Sequence, residues 1–353
     1  MLRLEGISLQ YFRNQSATFH FPHSQTVVVG VNGAGKTALL EAIALLSTGE
    51  SFRAEEVSEM VGFAQELSRV KANILRNEEK VELEIVLTRG IVNGKRVQHR
   101  LYSVNGVRRR KQDFVAKLLT VVFRPEDMRL VEGSPARRRQ FIDTMLSLAH
   151  REYAEALKGY EEGLKKRNRL LDQVKEGAMP ATVLKFWTEL ILAKGTVLQN
   201  YRQAAFQEFP ATTFPLTFRV KYEPSLITTD RLAQYREKEI MLGYTLIGPH
   251  KDDFIIEFPV QNEMVDVAKF GSRGQQRFGV LWLKVCERAY IEQKTGQSPV
   301  LLLDDILSEL DEEHRHEVWT LLKTGQSILT TTEPSLADEL KQKYDRVQVI
   351  NLP

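Results

Sequence analysis

The stretch that decides the fold is TVVVGVNGAGKTALLEAIALL, residues 26–46. Its first four residues form a continuous β-branched run, which predicts a strand buried on both faces. Its last eleven residues contain no helix breaker and predict a helix. Between them lies GVNGAGKT, residues 30–37, which matches the G-x-x-x-x-G-K-[ST] pattern in the context that the pattern requires. The sequence therefore predicts a phosphate-binding loop.

Each part of this loop has its own task. Lys36 is expected to reach the β- and γ-phosphate oxygens, and the Thr37 hydroxyl to bind Mg²⁺. The backbone amides of the loop and of the helix N-terminus point at the phosphates. The remaining residues predicted to hold the nucleotide are Gly30, Asn32, Gly33, Ala34 and Gly35.

The second half of such a site is an acid at the end of a buried strand. LLLDD, residues 301–305, supplies two acids. Asp304 is the expected Mg²⁺ partner through water, and Asp305 is a candidate to orient or deprotonate the attacking water. A strand that ends in polar residues by chance explains one aspartate better than two. The N-K-x-D sequence typical of GTPases does not occur.

Composition sets outer limits on the function. The 353 residues carry 49 basic and 46 acidic side chains, a net charge of +3, so a nucleic-acid partner must be argued from local clusters. The single cysteine, Cys286, excludes an intramolecular disulfide framework and a cysteine-rich zinc site. No stretch approaches the roughly 18 apolar residues of a membrane span, and we expect a cytoplasmic protein without a membrane partner.

The chain changes character twice. Alternating apolar residues between about 67 and 104 predict antiparallel strands, with NG at 93–94 and 105–106 as hairpin turns. Between about 135 and 208 the period becomes helical, with a break at EGAMPA, which predicts a helical hairpin inserted into an α/β frame. The predicted domains are a head formed by 1–125 and 241–353, and an inserted helical domain, 126–240.

A polar segment, GSRGQQR at 271–277, precedes the amphipathic run that contains Phe278, Leu281 and Trp282. Glycine-rich helix starts of this kind either turn a corner or hold an anion, and the local residues do not decide between these.

This segment, about 30 residues before the acidic strand, resembles the signature motif of ABC-type ATPases. In that family the motif closes over the γ-phosphate held by the partner's loop. The resemblance implies that Ser272, Gly274 and Gln275 complete the site of a second subunit, and SELD at 308–311 looks like the family's D-loop.

Several further motifs occur in the order seen in the bacterial RecF recombination mediators, and this chain is identified as similar to them from end to end. The motifs include YFRN, SFR at 51–53, VNGVRRR, VVFRPEDMRLVEGSPARRRQFID, KKRNRLL and GPHKDDF. The resemblance implies an α/β fold: an ABC-type ATPase head, with a P-loop sheet and an antiparallel β lobe, and an inserted mainly helical second domain. It also implies ATP and Mg²⁺ as cofactors, an ATP-dependent homodimer on duplex or gapped DNA, weak DNA-stimulated ATP hydrolysis, and work with RecO and RecR in loading RecA at gaps.

The sequence departs from the ABC pattern at three points. Where transporters usually have a histidine, this chain has TTTE, so γ-phosphate sensing at 330–332 would use a hydroxyl. Most ABC ATPases have glutamate at the position of Asp305, and the shorter side chain implies slow hydrolysis. The Q-loop glutamine is missing from VVFRPED, where it should be found.

Three basic clusters are candidates for sequence-independent phosphate contacts with DNA. The residues predicted to bind DNA are Arg108, Arg109, Arg110, Lys111, Lys165, Lys166 and Arg167. The alternative for any single cluster is a solvated surface. The third cluster, 137–139, is interpreted as DNA-binding, as a brace between domains or as a nucleotide contact.

Other residues admit a functional and a structural reading. For Arg13 a contact near the nucleotide competes with a plain surface arginine. PHKDD, 249–253, superficially resembles a metal set, but no second histidine or cysteine at ligand spacing accompanies it, so a structural contact is favoured. The alternative function for the whole chain is an ABC-type ATPase whose helical insertion docks a protein rather than DNA.

Overall fold

A computed structural model describes residues 2–209, 217–261, 263–306, 325–343 and 346–353. No helix in these ranges is both long and apolar enough to span a lipid bilayer. The chain forms two compact units: Met1–Asp127 together with Ile291–Pro353, and Met128–Tyr290.

The first unit contains the amino-terminal strands and helices. In chain order they are β1 Leu2–Phe12, β2 Gln15–His20, β3 Gln25–Val29, α1 Lys36–Thr48, β4 Leu67–Arg76, β5 Glu79–Thr88, β6 Ile91–Val92, β7 Lys95–Arg96, β8 Arg100–Val104, β9 Val107–Arg109, α2 Lys111–Phe114 and β10 Thr120–Phe123. Short 3-10 turns cover Val57–Met60 and Pro125–Met128.

The second unit is mainly helical. Its elements are α3 Arg129–Glu132, α4 Pro135–Ala149, α5 Arg151–Lys175, α6 Lys185–Gln207, β11 Arg219–Glu223, α7 Thr229–Leu242, β12 Asp253–Val260, β13 Glu263–Asp266, α8 Val267–Phe270 and α9 Arg273–Thr295, the last five residues of which fall in the first unit. The 3-10 turns are Ala181–Leu184 and Pro249–Lys251. The chain then completes the first unit with β14 Val300–Asp304, β15 Ser327–Thr331, α10 Pro334–Lys343 and β16 Val347–Asn351.

A six-stranded antiparallel sheet of order β2-β1-β4-β5-β8-β9 forms one half of the first unit. Buried and more exposed positions alternate along β4, the pattern of a sheet with one face on the core. Both predicted NG hairpins are confirmed: φ is 48° at Asn93 and 74° at Gly94, and 51° at Asn105 and 73° at Gly106. Positive φ at both central residues is what a type I′ turn requires.

A five-stranded sheet of order β10-β14-β15-β3-β16 forms the other half, and each neighbouring pair is parallel. All residues of β3, β14 and β15 are buried, as the apolar runs predicted. Helix α1 packs on this sheet. Because parallel strands end at one edge, the residues that follow β3, β10, β14 and β15 come together there.

The predicted helical hairpin is confirmed in the second unit. Helices α5 and α6 are antiparallel, because Gly159 lies against Lys194 whereas Gly163 lies against Leu190. The break at EGAMPA is also confirmed, since α5 ends at Lys175. The units change at 127/128 and 290/291, whereas the predicted domains change at 125/126 and 240/241. The later boundary arises because β12 pairs with β11 and packs against α4, which keeps this strand with the helices.

Candidate nucleotide site

The loop between β3 and α1 has the backbone of a phosphate cradle. Gly33 and Gly35 adopt positive φ, 88° and 95°, which side-chain-bearing residues rarely adopt. Gly35 caps α1, so Lys36 and Thr37 are the first residues of the helix. At its other end the loop is tied to the sheet, because the Gly30 amide donates to the Thr331 carbonyl, 3.3 Å. The free amides at the start of α1 favour an anion.

The Lys36 side chain lies against the loop. Its Nζ donates to the carbonyl oxygens of Gly30, 2.8 Å, and Val31, 3.1 Å. Only 6% of the residue is exposed. The ammonium is thereby placed beside the loop, where a phosphate can compete for it with two neutral carbonyls.

The two halves of the predicted site meet at one hydrogen bond. Thr37 Oγ1 donates to Asp304 Oδ1 across 3.1 Å, although the two residues are 267 positions apart. Asp304 is buried, and burial raises the pKa of its carboxyl above the ordinary value, while hydrogen bonds from Thr330 and Thr37 act in the opposite direction. A hydroxyl and a carboxylate are the hard oxygen donors that Mg²⁺ prefers.

Asp305 follows in a strained conformation. Its φ is 48°, in the left-handed region that non-glycine residues occupy at a cost of roughly 1–3 kcal/mol. Its amide donates to the Thr330 carbonyl, 3.2 Å, and to Thr330 Oγ1, 3.1 Å. Strain of this kind is retained where surrounding contacts fix it, and it clusters at functional sites. The D-loop predicted at 308–311 lies outside the described residues.

Arg13 is held by a buried carboxylate. Its Nε and Nη2 donate to the two oxygens of Glu41, each across 2.7 Å, and Nη1 donates to the Glu59 carbonyl, 3.1 Å. The Glu41 side chain is fully buried on α1 and also accepts from the Ser51 hydroxyl. In this arrangement Arg13 ties the YFRN segment to α1, and its contact with nucleotide stays a prediction.

Two neighbours of Arg13 support the loop directly. The side-chain amides donate to loop carbonyls, Asn14 to Gly33 across 2.9 Å and Gln15 to Ala34 across 2.6 Å. Gln15 also explains Gly35, because a Cβ there would lie 1.7 Å from Gln15 Nε2. The sequence offered one signal, the place of Asn14 in the YFRN motif, which Gln15 directly follows, but no spacing rule links either residue to the loop.

The segment after β10 brings a further acid near Asp304. Phe123 pairs with Leu303 in the parallel sheet, so the next residues begin beside the end of β14. The Asp127 side chain accepts from the Arg124 amide, 3.0 Å, which fixes this turn. The charge of Glu126 is one cause of the raised pKa of Asp304. Glu126 was not predicted from the sequence, because the family pattern places a glutamine in this segment and gives no role to an acid.

The candidate signature motif caps α9 in the second unit. Ser272 Oγ accepts from the Gln275 amide, 3.3 Å, and Gln275 Oε1 accepts from the Ser272 amide, 2.8 Å. This reciprocal pair is a capping box. Gly274 lies in the first turn of α9, and Ser272 is exposed. The segment is therefore a helix start, as its sequence predicted, with an exposed hydroxyl.

Comparison with known proteins gives the family. The family described as RecF/RecN/SMC N terminal domain matches residues 3–350. A protein named DNA replication and repair protein RecF, from Moorella thermoacetica, is 34% identical over 350 residues, which cover 95% of this chain and 91% of that protein. The chain belongs to the RecF family.

Other relatives agree. A Thermomicrobium roseum protein of the same name is 35% identical over 355 residues, covering 88% of each chain. Among solved structures, the recombination mediator RecF of the RecFOR pathway with ATP superposes with a TM-score of 0.82 at 29% identity, covering 95% of this chain and 93% of its own. An Smc head from Pyrococcus furiosus, 19% identical, has a TM-score of 0.54 over 100% of this chain and 94% of its own, and shares the fold. The predicted family and fold class are confirmed.

The basic clusters of this RecF family member differ in accessibility. Arg108 and Arg109 are exposed on β9, the edge strand of the antiparallel sheet, and Arg110 follows, also exposed. Lys111 pairs with Glu50. Lys165 and Lys166 are exposed on α5. The prediction for the next residue, Arg167, is wrong.

Arg167 is a core residue that is 2% exposed. Its guanidinium pairs with the buried Glu239, 2.7 Å, and donates to the hydroxyls of Thr245, 2.7 Å, and Thr188, 3.1 Å. A guanidinium so enclosed cannot reach a DNA phosphate. It is buried because it continues the core face of α5, one further turn along from Gly163.

Several of the remaining candidates, in the 137–139 cluster and in PHKDD, have structural partners within the second unit, whereas Arg137 is exposed. Arg138 forms a two-bond pair with Asp253, 2.6 and 2.9 Å. Asp252 is buried and pairs with Arg202, 2.8 Å. His250 bonds to the Tyr160 hydroxyl, and burial lowers its pKa to about 4. In the described part of the chain, no group of three or more histidine, cysteine and acidic side chains is arranged to hold a metal ion.

Proposed function

We propose that this chain is an ATP-binding and ATP-hydrolysing protein of recombinational DNA repair, with Mg²⁺ as its metal. The observation that carries the proposal is the Thr37–Asp304 hydrogen bond, because it joins the phosphate loop to the acidic strand end in one site. The ATP complexes of the similar RecF structures support the choice of nucleotide.

Each residue then has a role. The amides of residues 30–37 bind the phosphates, and Lys36 binds the β- and γ-phosphate oxygens. Thr37 and Asp304 would hold Mg²⁺, Asp304 through water; the metal supplies charge neutralisation at the phosphates. Asp305 orients the attacking water or accepts its proton. Its carboxylate is one methylene shorter than that of glutamate, so we expect slow turnover, suited to a switch.

The ATP proposal predicts the effect of Lys36→Ala. We expect at least tenfold weaker ATP binding by calorimetry, because the variant removes the charged partner of the phosphates. Lys111→Ala is the matched control, since it removes another lysine from the first unit and leaves the loop intact. Equal ATP affinity in the Lys36 variant and the wild-type protein would contradict the assignment.

We further propose an ATP-dependent homodimer that binds duplex and gapped DNA. Ser272, Gly274 and Gln275 complete the γ-phosphate site of the partner subunit, and hydrolysis releases the dimer. The exposed capping hydroxyl of Ser272 supports this role. In the cell the dimer works with RecO and RecR to load RecA at gaps, a proposal supported by the RecFOR pathway of the similar solved structures.

For DNA, the exposed arginines of β9 and the exposed Arg110 that follows it are the candidates that the geometry supports best. We expect Arg109→Ala with Arg110→Ala to weaken duplex binding in the presence of ATP and to reduce the salt dependence of log K by about 1.8, at about 0.9 per lost phosphate contact. The matched control is Arg236→Ala with Lys238→Ala, which removes two exposed positive charges from α7. Fluorescence anisotropy across salt concentrations measures both. A wild-type protein without ATP-dependent, salt-sensitive binding would favour a protein-docking ATPase.

A further inference from the structure

The Thr330 hydroxyl contacts both aspartates of the site, Asp304 through its carboxylate and Asp305 through its backbone amide. Thr330 Oγ1 donates to Asp304 Oδ1 across 2.8 Å and accepts from the Asp305 amide across 3.1 Å. The Leu303 carbonyl is a second possible acceptor at 3.4 Å. Because a hydroxyl has one proton and charge-assisted hydrogen bonds are shorter and stronger, the proton goes to the Asp304 carboxylate.

The sheet register makes this contact local. Asp304 of β14 pairs with Thr330 of β15, and paired residues of neighbouring strands project to the same face. Thr330 is 3% exposed, so few water molecules can replace its hydrogen bonds. The hydroxyl is therefore a fixed part of the site floor.

Asp304 is oriented through one oxygen. Thr37 and Thr330 both donate to Oδ1, and in the described parts of the chain no other side-chain hydrogen bond to this carboxylate occurs. Two donors on one oxygen fix the rotation of the carboxylate about its last bond. The second oxygen is then the one available to a water molecule of the metal.

Asp305 is held through its backbone. The Thr330 hydroxyl and carbonyl both accept from the Asp305 amide, and these bonds secure a φ of 48°. The left-handed conformation sets the direction in which the Asp305 side chain leaves the chain. Losing the hydroxyl removes one restraint on that conformation.

We propose that Thr330 is a positioning residue for both carboxylates, orienting Asp304 toward the magnesium nucleotide and stabilising the backbone that directs Asp305. The inference rests on the proposed ATPase function and goes beyond it. It also revises the γ-phosphate role expected for Thr330, because the Thr330 proton is engaged by Asp304 rather than free for a phosphate.

The test compares four variants. Thr330→Val removes the hydroxyl and keeps the shape, Thr330→Ala removes it without the branched side chain, and Thr330→Ser retains it. Thr26→Val is the matched control, since Thr26 is a buried threonine of the same sheet, on β3, whose hydroxyl donates to the Gln348 side chain instead. Thermal unfolding of each variant identifies those that are folded.

The first readout is Mn²⁺ binding. Electron paramagnetic resonance measures it in the presence of a non-hydrolysable ATP analogue. We expect Thr330→Val and Thr330→Ala to weaken Mn²⁺ binding roughly 10- to 100-fold. This is the range expected for the loss of a hydrogen bond to a charged group. Metal-free analogue binding should be unchanged. We expect Thr330→Ser and Thr26→Val to behave as wild type.

The second readout is the split between kcat and KM. In Thr330→Val and Thr330→Ala, kcat should fall by a factor of roughly ten or more. The KM for ATP should change by less than roughly threefold, because the ground-state phosphate contacts remain. Wild-type Mn²⁺ affinity and kcat in these variants would overturn the inference. If the wild-type protein itself binds no Mn²⁺ with the analogue, the proposed ATPase function fails, and the inference with it.

Discussion

At the residue scale, Asp304 shows how a buried carboxylate is oriented by neutral donors. Its partners, Thr37 and Thr330, come from the start of α1 and from β15. Hydroxyl donors stabilise the charged form without neutralising it, so the carboxylate keeps its charge for a cation. A lysine or arginine in either place would occupy the carboxylate and compete with the metal.

Arg13→Ala separates the two roles considered for this arginine. We expect the free energy of unfolding to fall by about 3 kcal/mol without nucleotide, because the fully buried Glu41 loses its ion-pair partner. The control is Arg69→Ala, whose partner Glu84 is partly exposed, with an expected loss below about 1 kcal/mol. Urea unfolding measures both. Unchanged stability together with weaker ATP binding would instead favour the nucleotide contact.

At this scale the sequence predicted the phosphate-binding loop and the two aspartates after β14, but not the side chains that hold them in place. The spacing of Lys36 and Thr37 is fixed by the phosphate chemistry, so a pattern reveals it. Asn14, Gln15 and Glu126 act through contacts that only the folded chain brings together, and polar residues in loops leave no periodic signal. Their identification required the register of the sheet.

At the element scale, α5 shows both the strength and the misuse of periodicity. Its buried face includes Tyr153, Ala156, Tyr160, Gly163, Arg167 and Leu171, at steps of three and four residues. The same helical period that predicted the hairpin thus places Arg167 seven residues after Tyr160, on the core side. The DNA-binding prediction for Arg167 treated KKRNR as one positive cluster. Its residues lie on different faces of the helix, so a count of charges does not distinguish the buried arginine from its exposed neighbours.

The ion pair of Arg167 gives a quantitative test. We expect Arg167→Met to lower the free energy of unfolding by about 3–5 kcal/mol, since Glu239 stays buried without its partner. Adding Glu239→Met should recover most of the loss. Lys165→Ala and Lys166→Ala, the exposed neighbours, should change stability by less than about 0.5 kcal/mol. Urea unfolding of these four variants measures the changes in stability. A stable Arg167→Met protein with weakened DNA binding would restore the prediction that Arg167 binds DNA.

At the scale of the whole molecule, the proposed function depends on the association of two subunits. The two units hold different parts of the proposed composite site, the phosphate loop in the first and the capping box of α9 in the second. An interface that includes the ligand gains contacts only when ATP is present, so we expect nucleotide to shift a monomer–dimer equilibrium toward the proposed dimer.

Ser272→Arg tests the composite site. We expect ATP binding to the monomer to remain nearly intact while the ATP-dependent dimer, followed by light scattering, is lost. The substitution also removes a helix cap, worth about 1 kcal/mol. Thr228→Arg is therefore the matched control, because Thr228 caps α7 through the Arg231 amide and lies in the same unit. An ATP-dependent dimer of the Ser272 variant would refute the composite site.

The strand order also constrains how the protein is made. Strand β3 pairs with β15 and β16, both of which are synthesised much later, so the nascent chain carries an unpaired apolar strand while some 300 further residues leave the ribosome. The second unit is contiguous, and we expect it to fold during this interval. A ribosome-stalled chain that ends before β15 should therefore bind chaperones rather than nucleotide, because the loop after β3 is assembled last.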